Sequence, residues 1–598
     1  MKYQVTGNEY ISLPTIREDD GGLEGISFLH MGCKGMIEIC GGTKTPLLQP
    51  FIEICGKRRQ LTQAEWTLDG YWIPSFTASA CEAGIAGTWL APLGERGFGC
   101  RLEIEGRSAT PVSVRFGLEG CWSETLHSIN ESKPINAEKY AYDSDWNHNV
   151  VFDIRPVTSL FAFAPIFAEN IQYTYEKNTD GTISYTFYKD IVLAQEQKDS
   201  ETFWFGLGYE EVAAATSAKE MLRQGFGVEY QKTRSWLAQR QRSVGEDKLD
   251  TLLNQNMFFS FFYGSGLTLD TEEFVLVTSR SSRYYVSAAY WDRDSLLWSF
   301  PAILMTDADF AHEMLHYVFT RQIKNVGIHS RYIDGTVLEP GFELDELCAP
   351  ILALMRYMKV TGNYALLNES YIRSGVDRIL NILKSKKHPD TDLYETFLQP
   401  TDDMNVYKYI TYDNVLVWRI LSSLSEVYDR PDLEELAERV RASIITHCVK
   451  EKNGRSIYAW SVDLEGNWDI YDEPPGSLLL LPYYGFCSKE DSVWVNTVSI
   501  IRDPSYPYSF ADYPIAEIGC PHAPHPWVLS IANSLLSGNI DMARKHLELC
   551  KMDNGIACES VDEYTGESRS GDAFATCAGF LAYAIDSAFT KGGGGIWS

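Results

Sequence analysis

Two spacings of apolar residues divide the chain. Up to about residue 235, apolar and polar positions alternate in short runs. The stretches "GMIEICGG" at 35–42 and "PFIEICGK" at 50–57 alternate in this way and end in Gly, so they read as two similar strands of a sheet. "TPVSVRFGLEG" at 110–120, "HNVVFDIR" at 148–155 and "GTISYTFYKDIVLA" at 181–194 continue the pattern. Many short strands separated by Gly, Asn and Asp predict a β-sandwich over 1–214. Residues 215–244 read as a helical connection.

From about 245 the period becomes roughly 3.6. It predicts helices near 247–264, 292–306, 308–323, 344–361, 366–385 and 413–428, then near 431–450, 475–486, 488–500, 525–537, 540–550 and 572–588. Helices paired in this way predict an (α/α)6 barrel over 245–590. Such a barrel gathers its loops at one end, where residues distant in sequence meet. The final "KGGGGIWS", 591–598, reads as a flexible tail.

The net charge is −29, which argues against nucleic acid or an anionic membrane as partner. A neutral sugar stays compatible, and the 15 Trp and 34 Tyr would serve its binding as readily as they would fill a large core. The 13 Cys include no CxxC pair, the N-terminus has no apolar signal core, and no run approaches the roughly 18 apolar residues of a membrane span. The expectation is a soluble, cytoplasmic protein with reduced thiols and no cofactor; self-association is left open.

Five segments carry candidate chemistry. In "PGFELDELCAPILALMRY", 340–357, Glu343, Asp345 and Glu346 precede an apolar helical face of Leu344, Cys348, Ile351, Leu352 and Met355. A carboxylate at a helix start is ordinarily a cap. A half-buried one has a raised pKa suited to proton donation. "AYWDRDSLLWSFPAIL", 289–304, sets Asp292, Arg293 and Asp294 between Trp291 and Trp298; it reads as a polar fork with a ring-stacking face or as a capped helix with an internal salt bridge. The acidic run at 459–485 includes Asp472 and Glu473, by default a solvated loop. "EIGCPHAPHPW", 517–527, is a Pro-locked loop bearing His522 and His525, and Glu559 lies among small apolar residues before the last helix.

Taken in order, "YWDRDSLLWSFPAIL", "FELDELCAPILALMRYMKVTGN", "YAWSVDLEGNWDIYDEPPGSLLLLPYYGF", "IGCPHAPHPW" and "CESVD" resemble the motifs of the metal-independent exo-α-mannosidase family of six-hairpin glycosidases. The resemblance covers about 285–585. It departs at "YDEPPG", at Cys558, where the family has His, and at Asp345-Glu346, where it has Asp-Ser. The β-rich first 235 residues are similar to the sandwiches of other six-hairpin glycosidases. The resemblance implies an inverting exo-α-glycosidase needing no metal, with an oligosaccharide or glycoside as partner. Glu343 would be its general acid and Glu559 its general base, roughly 6.5–9.5 Å apart. Arg293, Asp294 and His522 would grip the sugar, with Trp291, Asp292, Asp345, Asp402, Asp403, Asp413, Asp472 and Glu473 as further substrate contacts. Asp345 and Asp562 are second choices for the catalytic pair.

Two other enzymatic readings compete. "HEMLH", 312–316, matches the HExxH zinc pattern, yet it sits in a segment that reads as an ordinary helix with Phe310, Met314, Val318 and Phe319 inward, and no third ligand follows. A six-hairpin exo-α-glucosidase, amylo-1,6-glucosidase-like or trehalase-like, would share the carboxylate pair, and the sandwich favours it. A non-catalytic glycan-binding pseudoenzyme is the third alternative, with Cys558 as its support.

Overall fold

The computed structural model describes residues 2–42, 44–80, 82–590 and 597. The expected tail therefore lies, apart from Trp597, outside the described residues. Trp597 itself is buried, its ring near the cationic groups of Arg356, Lys359 and Arg419. Two compact units emerge. One comprises Met1–Gln241, Ser265–Val275 and Ser279–Ala288; the other comprises Arg242–Gly264, Leu276–Thr278 and Ala289–Ser598.

The first unit is built on three antiparallel sheets. A six-stranded sheet runs Tyr3–Gly7, Ile11–Arg17, Gly25–His30, Gly35–Cys40, Glu124–Ile129 and Glu131–Pro134. An eight-stranded sheet runs Glu138–Ser144, Asn149–Arg155, Phe161–Ile166, Lys198–Gly208, Gly97–Gly106, Ala83–Leu90, Ile73–Ala80 and Thr62–Asp69. A five-stranded sheet runs Gln172–Lys177, Ile183–Leu193, Val112–Trp122, Gln49–Ile54 and Lys57–Arg59. The alternation works as expected along Val112–Trp122, where Val114, Phe116, Leu118 and Trp122 are buried. All three sheets contribute to one core, which includes Phe98, Phe163 and Phe205 with centroids 5.1–6.3 Å apart. Burying each such ring contributes about 1.5–3 kcal/mol.

One expectation changes. The similar strands 35–40 and 49–54 belong to different sheets. The eight residues between them are too many for a tight hairpin, and Leu48 pairs instead with Leu23. The expected connecting helix at 215–244 is two helices, Glu211–Gln224 and Phe226–Arg240, broken at Gly225 with φ 82°. The first lies on strand Lys198–Gly208, where a Cβ at Gly206 would stand 2.2 Å from the Ala214 carbonyl oxygen.

The second unit is helical: Asp247–Tyr263, Phe300–Thr306, Ala308–Thr320, Leu344–Thr361, Ser370–Lys386, Thr411–Tyr428, Pro431–Cys448, Ser492–Ile501, Val528–Ser537, Ile540–Leu549 and Ala575–Phe589. The expected helix at 475–486 forms only the 3-10 turns Pro474–Gly476 and Leu478–Leu480. Pro474, Pro475 and Pro482 lack the amide donors that an α-helix there would need. Leading into Phe300–Thr306, Arg293–Ser299 is wound as a π-helix, a wide turn that recurs at functional sites. The helix Leu344–Thr361 packs on this π-turn and on Thr411–Tyr428; Ala575–Phe589 packs on the π-turn, on Asp247–Tyr263 and on Val528–Ser537. On Ala308–Thr320, His316 is exposed and edge-on to Tyr371, and His312 lies beside Tyr357. Among the described residues no helix is long and apolar enough to cross a membrane, and the twelve described cysteines are free thiols.

Candidate active site

Glu343 takes the N-cap position of Leu344–Thr361 with extended backbone, yet its carboxylate makes no capping bond. It is fully buried and turned sideways: Oε2 accepts from Arg293 Nη1 at 2.6 Å, and Oε1 lies 2.5 Å from His329 Nδ1. Two residues on, Asp345 accepts from the same Nη1 at 3.0 Å. Glu346 caps the neighbouring turn rather than its own helix, accepting the amides of Asp292 at 2.5 Å and Arg293 at 2.9 Å. One acidic helix start therefore anchors the backbone of the π-turn and grips its arginine.

Arg293 is the hub. Besides Glu343 and Asp345, it reaches Asp402 through Nη2 at 2.5 Å. Asp294 lies 3.8 Å from its Nε and accepts from the Thr576 hydroxyl at 2.9 Å. Burial is the main cause raising the Glu343 pKa, opposed by Arg293. Burial likewise lifts Asp294 to about 7 against the same arginine. For His329, burial disfavours the imidazolium, but the Glu343 hydrogen bond and the charges of Asp402 and Glu343 outweigh it and raise the pKa.

The turn at 401–403 joins two parts of the site. Glu473 accepts from the Thr401 amide at 3.0 Å and its hydroxyl at 2.8 Å, and Asp402 sits at φ 68°. Aspartate tolerates that left-handed backbone better than most residues. Asp402 meets the Glu343 cluster through Arg293. Its neighbour Asp403 faces His522, Oδ2 to Nδ1 3.3 Å, and His522 Nε2 lies 3.8 Å from Glu559 Oε1. Glu559 Oε2 accepts from the Ser570 hydroxyl at 2.6 Å. A cavity of about 340 Å³ opens here, lined by Asp403, His522, Gln399, Met404, Val406, Asp469, Tyr471 and Pro521. A larger cavity of about 810 Å³, between Ser370–Lys386 and Leu424–Leu433, contains none of the candidate groups.

The remaining expected residues sit deeper. Trp291 is buried, its ring edge-on to His329 with centroids 5.5 Å apart. Asp292 is taken up by the Tyr290 hydroxyl and by Arg331. Asp472 accepts from Ser477 and from the Leu478 amide, both at 2.7 Å, and burial lifts it to about 7. Asp413 is fully buried; burial, then Asp345 and Glu473, raise its pKa well above the usual carboxylate range. Asp562 is held in a turn by the Tyr564 and Thr565 amides and by Arg569, and is pulled down to about 2, chiefly by Thr565. His525 pairs with Glu563.

Sequence reasoning missed His329, Arg331 and Thr401. The first two lie on the strand Ile328–Arg331 of a hairpin whose other strand, Val337–Phe342, leads directly into Glu343. The available signal was the turn "YIDGT", which folds residues 328–331 back onto 337–342. His329, Glu343 and Asp402 each present one ligand atom within 4.8 Å of the others, a geometry that could hold a cation. The Arg293 guanidinium already contacts two of the three, Glu343 and Asp402.

Comparison with known proteins places these residues in context. The family model "Metal-independent alpha-mannosidase (GH125)" matches residues 385–585. The "Meiotically up-regulated gene 157 protein" of Schizosaccharomyces pombe is 24% identical over 286 residues, 39% of this chain and 56% of that protein, so the chain spans just over half the length of this curated relative. A Streptococcus pneumoniae metal-independent α-mannosidase, solved in a non-productive complex with α-1,6-mannobiose, is similar at 19% identity and a TM-score of 0.50, over 59% of this chain and 97% of that one. A bacterial glucoamylase in complex with acarbose is similar at 12% identity and a TM-score of 0.65, over 98% and 94%.

Proposed function

We propose that this chain, a six-hairpin glycosidase close to the metal-independent α-mannosidases, is an exo-acting, inverting glycoside hydrolase that releases a terminal α-linked sugar, with α-mannose as first candidate. In this reading the helices close as an (α/α)6 barrel, with the 3-10 turns at 474–480 standing where a twelfth helix would lie. The observation that carries the reading is Glu343, buried with a raised pKa and joined through Arg293 to Asp402, whose neighbour Asp403 faces the His522 that lies beside Glu559.

Inversion needs an acid that holds its proton near neutral pH and a base on the opposite face of the ring. Glu343 protonates the leaving glycosidic oxygen. Glu559, oriented by Ser570, removes a proton from the attacking water. Arg293 stabilises the Glu343 carboxylate left after donation, and fixes Asp345 and Asp402 for sugar hydroxyls. Asp294, Asp403 and His522 complete the ring contacts, and Trp291 holds His329 in place. We assign Asp292, Asp472 and Glu473 to the framework, because each is fully buried and its carboxyl bonds donors of the fold outside the Arg293 cluster. Asp413 joins them on its burial alone, since among the described residues neither of its carboxyl oxygens has a hydrogen-bond partner.

A second reading, an exo-α-glucosidase, draws on the likeness to the glucoamylase over nearly the whole chain, sheets included. One experiment separates the two: hydrolysis of matched aryl α-mannosides and α-glucosides, with the product anomer read by proton NMR. Release of β-mannose supports the proposal, release of β-glucose supports the second reading, and retention of the α configuration refutes the inverting mechanism.

A further inference from the structure

An acid that donates its proton in every cycle must recover it, and Glu343 has no exposed surface through which to do so. Its Oε2 faces Arg293, which is always charged and has no proton to lend. Its Oε1 faces His329 Nδ1 at 2.5 Å. On the other side of that imidazole, Nε2 stands 3.4 Å from Glu339 Oε2, and the Glu339 side chain is 49% exposed. Ser330 donates to the same Glu339 oxygen at 2.9 Å and holds it in place. Ser330 and Glu339 are paired across the hairpin that precedes Glu343. A solvent-facing carboxylate, an imidazole and the buried acid are thus joined in series by one local element.

We propose that Glu339 and His329 form a proton-return relay that reloads Glu343 after each turnover. The inference rests on the hydrolase reading above, with Glu343 as its acid. Once Glu343 has given its proton to the leaving oxygen, a proton from solvent passes by way of Glu339 to His329 Nε2. The imidazolium hands its Nδ1 proton to Glu343 Oε1, and the neutral tautomers re-equilibrate before the next cycle. The count closes: one proton enters at the hairpin, and the one Glu559 took from water leaves to solvent. Nothing is oxidised or reduced. The groups facing His329 favour this traffic. Glu343, Asp402 and Glu339 are acidic, Arg293 tempers them, and the Trp291 ring closes the remaining side. His329 acts through Glu343 and is a positioning and relay residue.

The test compares substrates that do and do not consume the acid's proton. A dinitrophenyl α-mannoside leaves without protonation, whereas an alkyl α-mannoside requires it. In the full chain, His329→Gln keeps a hydrogen-bond donor but cannot relay. We expect its kcat on the alkyl glycoside to fall about tenfold or more beyond any fall on the dinitrophenyl glycoside, with KM little changed. Imidazole added to His329→Ala should recover part of the difference. Glu339→Gln, altered at a half-exposed position, should show the same selectivity to a smaller degree and carries the test should the His329 variants not fold. Equal losses on both substrates, with no imidazole rescue, overturn the relay and leave His329 structural. A wild-type chain inactive on both glycosides overturns the hydrolase reading and the relay together.

Discussion

Asp294→Asn isolates the energetic consequence of burying an acid beside a single arginine. Asp294 is almost wholly enclosed, and its pKa rises from 3.8 to about 7, with burial the main cause and Arg293 opposing it. Because the folded value lies above the unfolded one, folding favours the protonated carboxyl. Below about pH 4 both states are protonated and the group makes no difference. As pH rises from about 4 to 7 the unfolded chain ionises first, and stability is lost; above about 7 the loss is complete. A rise of that size corresponds to about 4 kcal/mol at most. Asparagine removes the titration, and its carbonyl can still accept from Thr576. Arg293 keeps Glu343, Asp345 and Asp402. The variant should therefore be more stable than wild type at pH 8 by about 1–4 kcal/mol, the gain shrinking towards pH 5, while glycoside turnover falls. Urea unfolding of both proteins at pH 5, 6.5 and 8 measures this. A stability difference independent of pH, or a variant less stable at pH 8, would refute the reasoning.

Glu343→Gln and Glu559→Gln should each lower kcat about 10²–10⁴-fold on an alkyl α-glycoside while leaving the unfolding transition close to wild type; steady-state kinetics and calorimetry check both halves. Arg293→Met strips the shared cation from Glu343, Asp345 and Asp402, so it should destabilise the fold by about 3–5 kcal/mol, read by urea unfolding near neutral pH. Glu346→Ala orphans the amides of Asp292 and Arg293 and one partner of Arg331; a loss of about 3–5 kcal/mol, read by urea titration, is expected. Trp597→Ala should lower Tm through the loss of a buried ring worth about 3–5 kcal/mol, and an unchanged Tm would show that the ring is not anchored as described.

The periodic parts of the fold were legible because burial imposes a period. Along Ser370–Lys386 the buried residues are Ile372, Gly375, Val376, Ile379 and Leu383, the helical spacing expected over 366–385, whereas Leu344–Thr361, whose expected boundaries 344–361 are those observed, is buried all round from Leu344 to Met358. Where the backbone itself decides, the pattern fell short. The apolar run 478–481 resembles a helix, but its flanking prolines permit only 3-10 turns. The π-winding of Arg293–Ser299 leaves no mark on hydrophobic spacing. Within the site, acids at helix starts stood out as unusual company. His329 did not, because its significance depends on a hairpin bringing residue 329 beside residue 343. Nor did Thr401, which binds Glu473 mainly through its place in a turn.

The distribution of charge gives the candidate site its chemical sense. Glu343, Asp345, Glu346 and Asp294 are buried around Arg293, and Asp402 joins them from a more open position. Stability alone would disfavour so many acids about one cation, since buried ion pairs seldom outperform well-packed apolar side chains. An arrangement that destabilises the resting protein is retained where it stabilises something transient. In the proposed reaction positive charge develops on the sugar ring as the glycosidic bond breaks. Carboxyl oxygens held by protein donors and shielded from water meet that charge with little reorganisation. On this view Arg293 does not serve to neutralise the site. It keeps the acids folded in place, so that replacing Asp345 or Asp402 by Asn should slow bond cleavage even where the substrate still binds.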